Sequence, residues 1–109
     1  MNAIRVTVME ALKVTEQEPR VYRGWLFLPK QPWTLDTEGM FFDLDKNSES
    51  GIDRTPEDIK SKKLSMTLDS DLIEDVIWNA KAQRPDVTIE ELLAAFTYYC
   101  NQDAFVKFE

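Results

Sequence analysis

The chain has 109 residues, enough for one domain, residues 1–109, with a single hydrophobic core. Its 43% hydrophobic and 11% aromatic residues exclude a disordered chain. A net charge of -7 disfavours direct binding to nucleic acid or to anionic membrane surfaces. The sequence shows no run of about 18 apolar residues and no secretory signal, and one cysteine cannot form an internal disulfide. We therefore expect a cytoplasmic protein with no membrane span.

The first segment combines a strand pattern with a helix start. The β-branched residues of "IRVTV" favour a brief strand, and Thr7 and Glu10 have the spacing of a capping box, in which each side chain satisfies a free amide at the helix start. We predict a short strand that runs into a helix ending near Glu16.

The middle of the chain has the two-residue period of strands. In "VYRGWLFLP" apolar residues occupy both parities, which predicts a central strand covered on both faces. Two segments alternate, and each predicts a strand with one apolar face: Met40, Phe42 and Leu44 in "GMFFDLD", and Leu64, Met66 and Leu68 in "LSMTLD". The intervening "WTLDTEG" is compatible with a further short strand that turns at residues 37–39.

Two helices are predicted near the C-terminus. The first has an apolar stripe and ends before Pro85; its stripe consists of Leu72, Ile73, Val76, Ile77 and Ala80. The second covers about residues 89–101 and starts at a Thr88–Glu91 capping box. Because only "RPDVT" joins them, they should form an antiparallel hairpin. The tail "DAFVKFE" is either a final strand or a frayed end.

Together these elements predict an α+β fold. It consists of a small, twisted, mostly antiparallel sheet with the C-terminal helical hairpin packed on one face.

The segment "DLDKNSESGIDRTPED" resembles a calcium loop only in part. An EF-hand requires glycine at position 6 and glutamate at position 12, but a loop starting at Asp43 has Ser48 and Arg54 there. We interpret it as a solvated connection leading to a helix capped by Thr55. The chain has no histidine, and Cys100 lies on an apolar helix stripe, so we predict no catalytic, cofactor or metal site.

Acidic residues of this segment are instead candidates for binding a protein partner. They are Asp43, Asp45, Glu49, Asp53, Glu57 and Asp58. The alternative is that they only solvate a loop. Two tryptophans are expected to be partly exposed: Trp33, between Pro32 and a polar turn, and Trp78, on the opposite side of its helix from Ile73 and Ile77. They are further candidates, because an exposed tryptophan beside carboxylates is typical of a binding hot spot, although packing explains most tryptophans.

Several short motifs occur in two segments of the chain. W-L-x-L-P and D-x-D lie in "GWLFLPKQPWTLDTEGMFFDLD", and A-F-x-Y-Y followed by D-A-F lies in "NAKAQRPDVTIEELLAAFTYYCNQDAF". Over about residues 21–106 the chain thereby resembles small bacterial immunity proteins of contact-dependent inhibition and related polymorphic toxin systems. The resemblance implies a cytoplasmic, often acidic protein that neutralises a toxin domain, commonly a nuclease, by binding it. It assigns no functional residue.

The resulting hypothesis is a non-enzymatic immunity protein that binds a cognate, basic toxin domain. The alternative is a small structural or regulatory subunit that binds a partner through exposed aromatic residues or a sheet edge.

Overall fold

The structure, a computed structural model, describes residues 4–18, 22–42, 59 and 61–108. In chain order its elements are β1 (Ile4–Thr7), α1 (Val8–Gln17), β2 (Trp25–Leu28), β3 (Glu38–Phe42), β4 (Ser65–Asp69), α2 (Ser70–Gln83) and α3 (Ile89–Gln102). The predicted α+β class is confirmed.

The strands form one antiparallel sheet in the order β1-β3-β2-β4. The two inner strands, β2 and β3, are the most apolar. The inner position of β2 confirms the prediction from "WLFL", whose residues are buried on both faces apart from the half-buried Trp25. Within the described part of the chain, β1 and β4 are the edges.

Each face of the sheet packs against its own cluster. The first face lies under α1, α2 and α3, where Leu26, Leu28 and Phe41 join the main core. The second face carries a smaller cluster of Phe27, Met40 and Phe42 with Ile59, and Trp25 and Leu64 pack around it. The prediction of a one-sided β3 is therefore wrong, because neighbouring residues on opposite faces of this inner strand are all buried.

The predicted facing of β4 is also wrong. Trp25 pairs with Asp69 but Phe27 pairs with Met66, so two steps along β2 correspond to three along β4. This extra residue is a β-bulge, which reverses the facing of the residues on either side of it. Leu68 therefore joins the main core, whereas Met66 is 49% exposed.

The strand-to-helix start at the N-terminus is confirmed. Thr7 and Glu10 form both bonds of the predicted capping box. The segment "WTLDTEG", however, forms no strand before Glu38. The Thr37 amide donates to the Thr34 carbonyl over 3.1 Å, and the Thr37 carbonyl accepts from the Val8 amide over 2.9 Å. These local bonds, together with the threonine hydroxyls, replace strand pairing.

The predicted C-terminal helical pair is confirmed, with α2 and α3 packed on the first face of the sheet beside α1. Thr88 and Glu91 form the predicted capping box, and the Glu91 carboxylate also accepts a bond from the Arg84 guanidinium in the connection. The tail forms no strand between residues 105 and 108, yet it is held. The Gln83 side-chain nitrogen Nε2 donates to the Val106 carbonyl over 2.8 Å, and its side-chain oxygen Oε1 accepts from the Phe108 backbone N–H over 2.9 Å.

Gly39 supplies a test of the sheet. A Cβ atom at this position would collide with the Phe27 carbonyl and with a Leu28 methyl group. Since backbone atoms cannot move aside cheaply, we expect Gly39→Ala to lower the free energy of unfolding by about 2 kcal/mol in urea titrations. Ser65→Ala, at an exposed strand position, is the matched control and should leave it nearly unchanged. Equal urea midpoints for the two variants would contradict the observed close approach of β2 to Gly39 of β3.

Glu91 supplies a test of the hairpin connection. Its pKa is lowered chiefly because the carboxylate accepts the Thr88 backbone N–H, and the Arg84 charge adds to this. A carboxyl group whose pKa falls on folding stabilises the fold above its ordinary pKa, and this contribution is lost as the pH falls through the folded value. Glu91→Gln should therefore unfold more easily than the parent near pH 7, and this difference should shrink as the pH falls below 4.5, the ordinary pKa of this group. If the urea midpoints of the parent and Glu91→Gln differed by the same amount at every pH, the ionised Glu91 carboxylate would not be the source of the stabilisation.

Candidate partner-binding surface

The six acidic candidates between Asp43 and Asp58 lie outside the described residues, as does the Thr55 helix start. Their role as a binding block stays a prediction. The structure does show the positions of the two tryptophan candidates, and these differ sharply.

Trp33 packs into the edge of the main core. Its indole Nε1 donates to the Pro29 carbonyl over 2.7 Å, and its ring lies 5.5 Å from that of Phe96 between centroids. The ring is therefore held in place and half-buried, and packing accounts for its apolar character.

Trp78 lies at the centre of the outer face of α2. The opposite side of the helix buries Ile73, Val76, Ile77 and Ala80 against α1, α3 and the sheet. These positions recur every three to four residues and therefore lie on one side of the helix, and residue 78 lies on the other side, which faces solvent. Its side chain is 51% exposed, which agrees with the prediction of a partly exposed Trp78.

Three carboxylates share this face of α2. Asp71, Glu74 and Asp75 precede Trp78 by seven, four and three residues, and these spacings place side chains on one side of a helix. Asp71 and Asp75 are exposed, and Glu74 is half-buried. We call Asp71, Glu74, Asp75 and Trp78 the α2 outer face.

The Lys81 ammonium group lies over the indole ring without cancelling the negative charge of this face. The Lys81 Nζ atom lies 5.6 Å from the Trp78 ring centroid and 2.9 Å from the Glu16 Oε2 atom on α1. Since Glu16 already neutralises Lys81, the three carboxylates of the α2 outer face leave it negatively charged. Chemically, such a face suits the binding of a cationic surface around an aromatic anchor.

A second surface feature is a cleft of about 720 Å³ between the sheet edge and α3. Its walls are the edge strand β4, the segment after β2 from Pro29 to Trp33, and the C-terminal half of α3. Lys30, Lys63 and Asp103 lie at its rim. We call it the β4–α3 cleft.

No reactive centre is evident among the described residues. Cys100 lines the β4–α3 cleft, and its burial raises the pKa of the thiol to about 11, so it is protonated near neutral pH. No three histidine, cysteine, aspartate or glutamate side chains in these ranges are grouped to hold a metal ion. No helix within them has the length and apolarity needed to cross a membrane.

Sequence reasoning anticipated Trp78 but did not single out the carboxylates beside it. The i-7, i-4 and i-3 spacings from an exposed aromatic residue would have identified them. The β4–α3 cleft had no comparable signal, because Lys30 and Lys63 come from separate connections that only the sheet topology brings together.

We expect the Trp78 ring to be nearly dispensable for folding. Because half of it faces solvent, Trp78→Ala should change the free energy of unfolding by less than about 1 kcal/mol. Phe96→Ala, at a fully buried ring, should cost about 3–5 kcal/mol in the same urea titrations. Similar losses for the two variants would place Trp78 in the core instead.

Comparison with known proteins gives one match. A protein-family model described as a domain of unknown function, DUF7716, matches residues 6–108. No curated protein and no solved structure matches the chain. The chain belongs to the DUF7716 family.

Proposed function

We propose that this protein acts by binding another protein through the α2 outer face, and that it is an immunity protein which neutralises a basic toxin domain. The observation that carries the proposal is the 51% exposure of Trp78 at the centre of three carboxylates. The resemblance to immunity proteins of polymorphic toxin systems supports the choice of partner.

The exposed indole favours a binding role over a structural one. A large ring in water adds little to folding, whereas tryptophan is among the residues that contribute most at protein interfaces. The Lys81 Nζ atom lies 5.6 Å from the ring centroid and is itself held by Glu16 over 2.9 Å, and this cation–π contact favours one position of the ring. A side chain ordered before binding loses less conformational entropy in the complex.

The charge of the face favours a cationic partner. The chain carries -7 overall, and three of its acidic residues, Asp71, Glu74 and Asp75, surround the anchor. Complementary charge accelerates association, and proteins that act on nucleic acids present basic surfaces. A negatively charged inhibitor can therefore be attracted by the same positive surface potential that attracts the toxin's nucleic-acid substrate.

The alternative function is a structural or regulatory subunit that binds through the same indole or through the exposed β4 edge near Met66. Such a complex would depend on apolar contact. Its association rate would then be nearly independent of salt, which separates it from the toxin inhibitor.

The experiment first asks whether a toxin domain is encoded beside the gene of this chain, and its absence would count against the proposal. Where one is encoded there, its association with this protein is measured by stopped flow at low and physiological salt. The variant Asp71→Asn/Glu74→Gln/Asp75→Asn should slow association about tenfold at low salt and flatten its salt dependence. The control Asp36→Asn/Glu38→Gln/Glu90→Gln makes the same charge change at exposed positions of other elements. Equal effects of the two variants would show that only net charge matters.

Two further variants complete the test. Trp78→Ala should accelerate dissociation about 30-fold, as expected for a hot-spot residue, and should abolish protection of a nuclease substrate at limiting inhibitor. Reversal of several carboxylates within 43–58 should also slow association if that block contributes. An adjacent domain that is not bound at micromolar concentration would overturn the proposal, and salt-independent binding that needs Trp78 would favour the subunit.

A further inference from the structure

We propose that the β4–α3 cleft is a binding site for a small amphipathic carboxylate, a molecule with one anionic head and an apolar body. The volume of about 720 Å³ lies in the range of ligand pockets. This site is separate from the α2 outer face and does not depend on the proposed toxin partner.

The interior of the cleft is mainly apolar, although Ser65 and Thr67 also belong to its lining. Leu28 and Leu68 are fully buried core residues, and the half-buried Trp33 and the 49% exposed Met66 complete the lining. An apolar body placed against these side chains would lose contact with water, which is the main source of affinity in such pockets.

The rim carries the charge that selects the head group. Lys30 and Lys63 are both exposed, and neither forms an ion pair with any residue that the structure describes. Asp103 is the one acidic residue among the lining residues that the structure describes, so these residues give the rim a net positive charge. In a chain that carries -7, a local excess of lysine around an apolar pocket favours an anionic ligand there.

The backbone at the rim is held in an unusual conformation. Lys63 has φ 55° and Asp103 has φ 54°, and they are the only non-glycine residues with positive φ in the described ranges. Both line the cleft. At Asp103 this conformation is the left-handed C-cap that ends α3, with the Asp103 N–H donating to the Tyr99 carbonyl. The helix end thereby sets the position of Asp103 at the rim.

Hydrogen bonds within the protein hold the walls of the cleft. The Gln31 side-chain nitrogen Nε2 donates to the Asn101 side-chain oxygen Oδ1 over 2.8 Å, and this bond joins the segment after β2 to α3. The Trp33 indole bond to Pro29 fixes the same segment from within. A preformed cleft loses little entropy on binding.

A peptide strand is a poorer occupant. β4 has five residues and contains the bulge opposite β2, and short, bulged edge strands resist the addition of another strand. A compact ligand needs no continuous ladder of backbone bonds.

The test uses octanoate and octanol, which share an apolar chain and differ in charge. Because the chain contains one cysteine and Cys100 lines the cleft, its alkylation by iodoacetamide, followed by mass spectrometry, reports occupancy. The reaction is run over hours at about pH 9, because the raised pKa of the thiol makes it react slowly near neutral pH. Octanoate should slow alkylation and should bind, by titration calorimetry, about tenfold more tightly than octanol.

Charge variants identify the rim. Lys30→Gln/Lys63→Gln should weaken octanoate binding about tenfold and leave octanol binding unchanged, whereas the control Lys13→Gln/Arg23→Gln, at exposed positions elsewhere, should change neither. Thermal melting should show that all these variants remain folded. Equal affinity for the two ligands, absence of Cys100 protection, or equal effects of both variant pairs would overturn the proposal.

Discussion

The burial of one stripe of α2 determines which residues of this helix are available to a partner. Ile73, Val76, Ile77 and Ala80 pack against α1, α3 and the first face of the sheet, and their burial sets the rotation of the helix about its axis. Trp78 is consequently exposed together with the residues that precede it by three, four and seven positions. A rotation that buried the indole would expose the aliphatic stripe, which is the larger loss.

The same packing separates two surfaces of different charge. The α2 outer face is negative around one aromatic residue, whereas the β4–α3 cleft has lysines around an apolar interior. The charge arrangement thus matters more than the net charge of -7, which alone would argue against any anionic ligand.

Elements with local determinants could be predicted from the sequence. The two capping boxes located the starts of α1 and α3, and the stripe on α2 predicted both its buried side and the exposure of Trp78. The facing of β4 could not be predicted, because its bulge depends on pairing with β2 and alters the simple two-residue period. The cleft was missed for a similar reason, since Lys30 and Lys63 are brought together only by the strand order.

The central claim is that Trp78 lies in the interface with a basic protein, and indole proton NMR tests it most directly. The chain has three tryptophans, so the free protein should give three indole N–H signals, one from the Trp33 group that donates to Pro29. On addition of the adjacent toxin domain, the Trp78 signal, assigned with Trp78→Phe, should shift or broaden beyond the changes at Trp25 and Trp33. A complex that forms while the Trp78 signal stays unchanged would contradict this account.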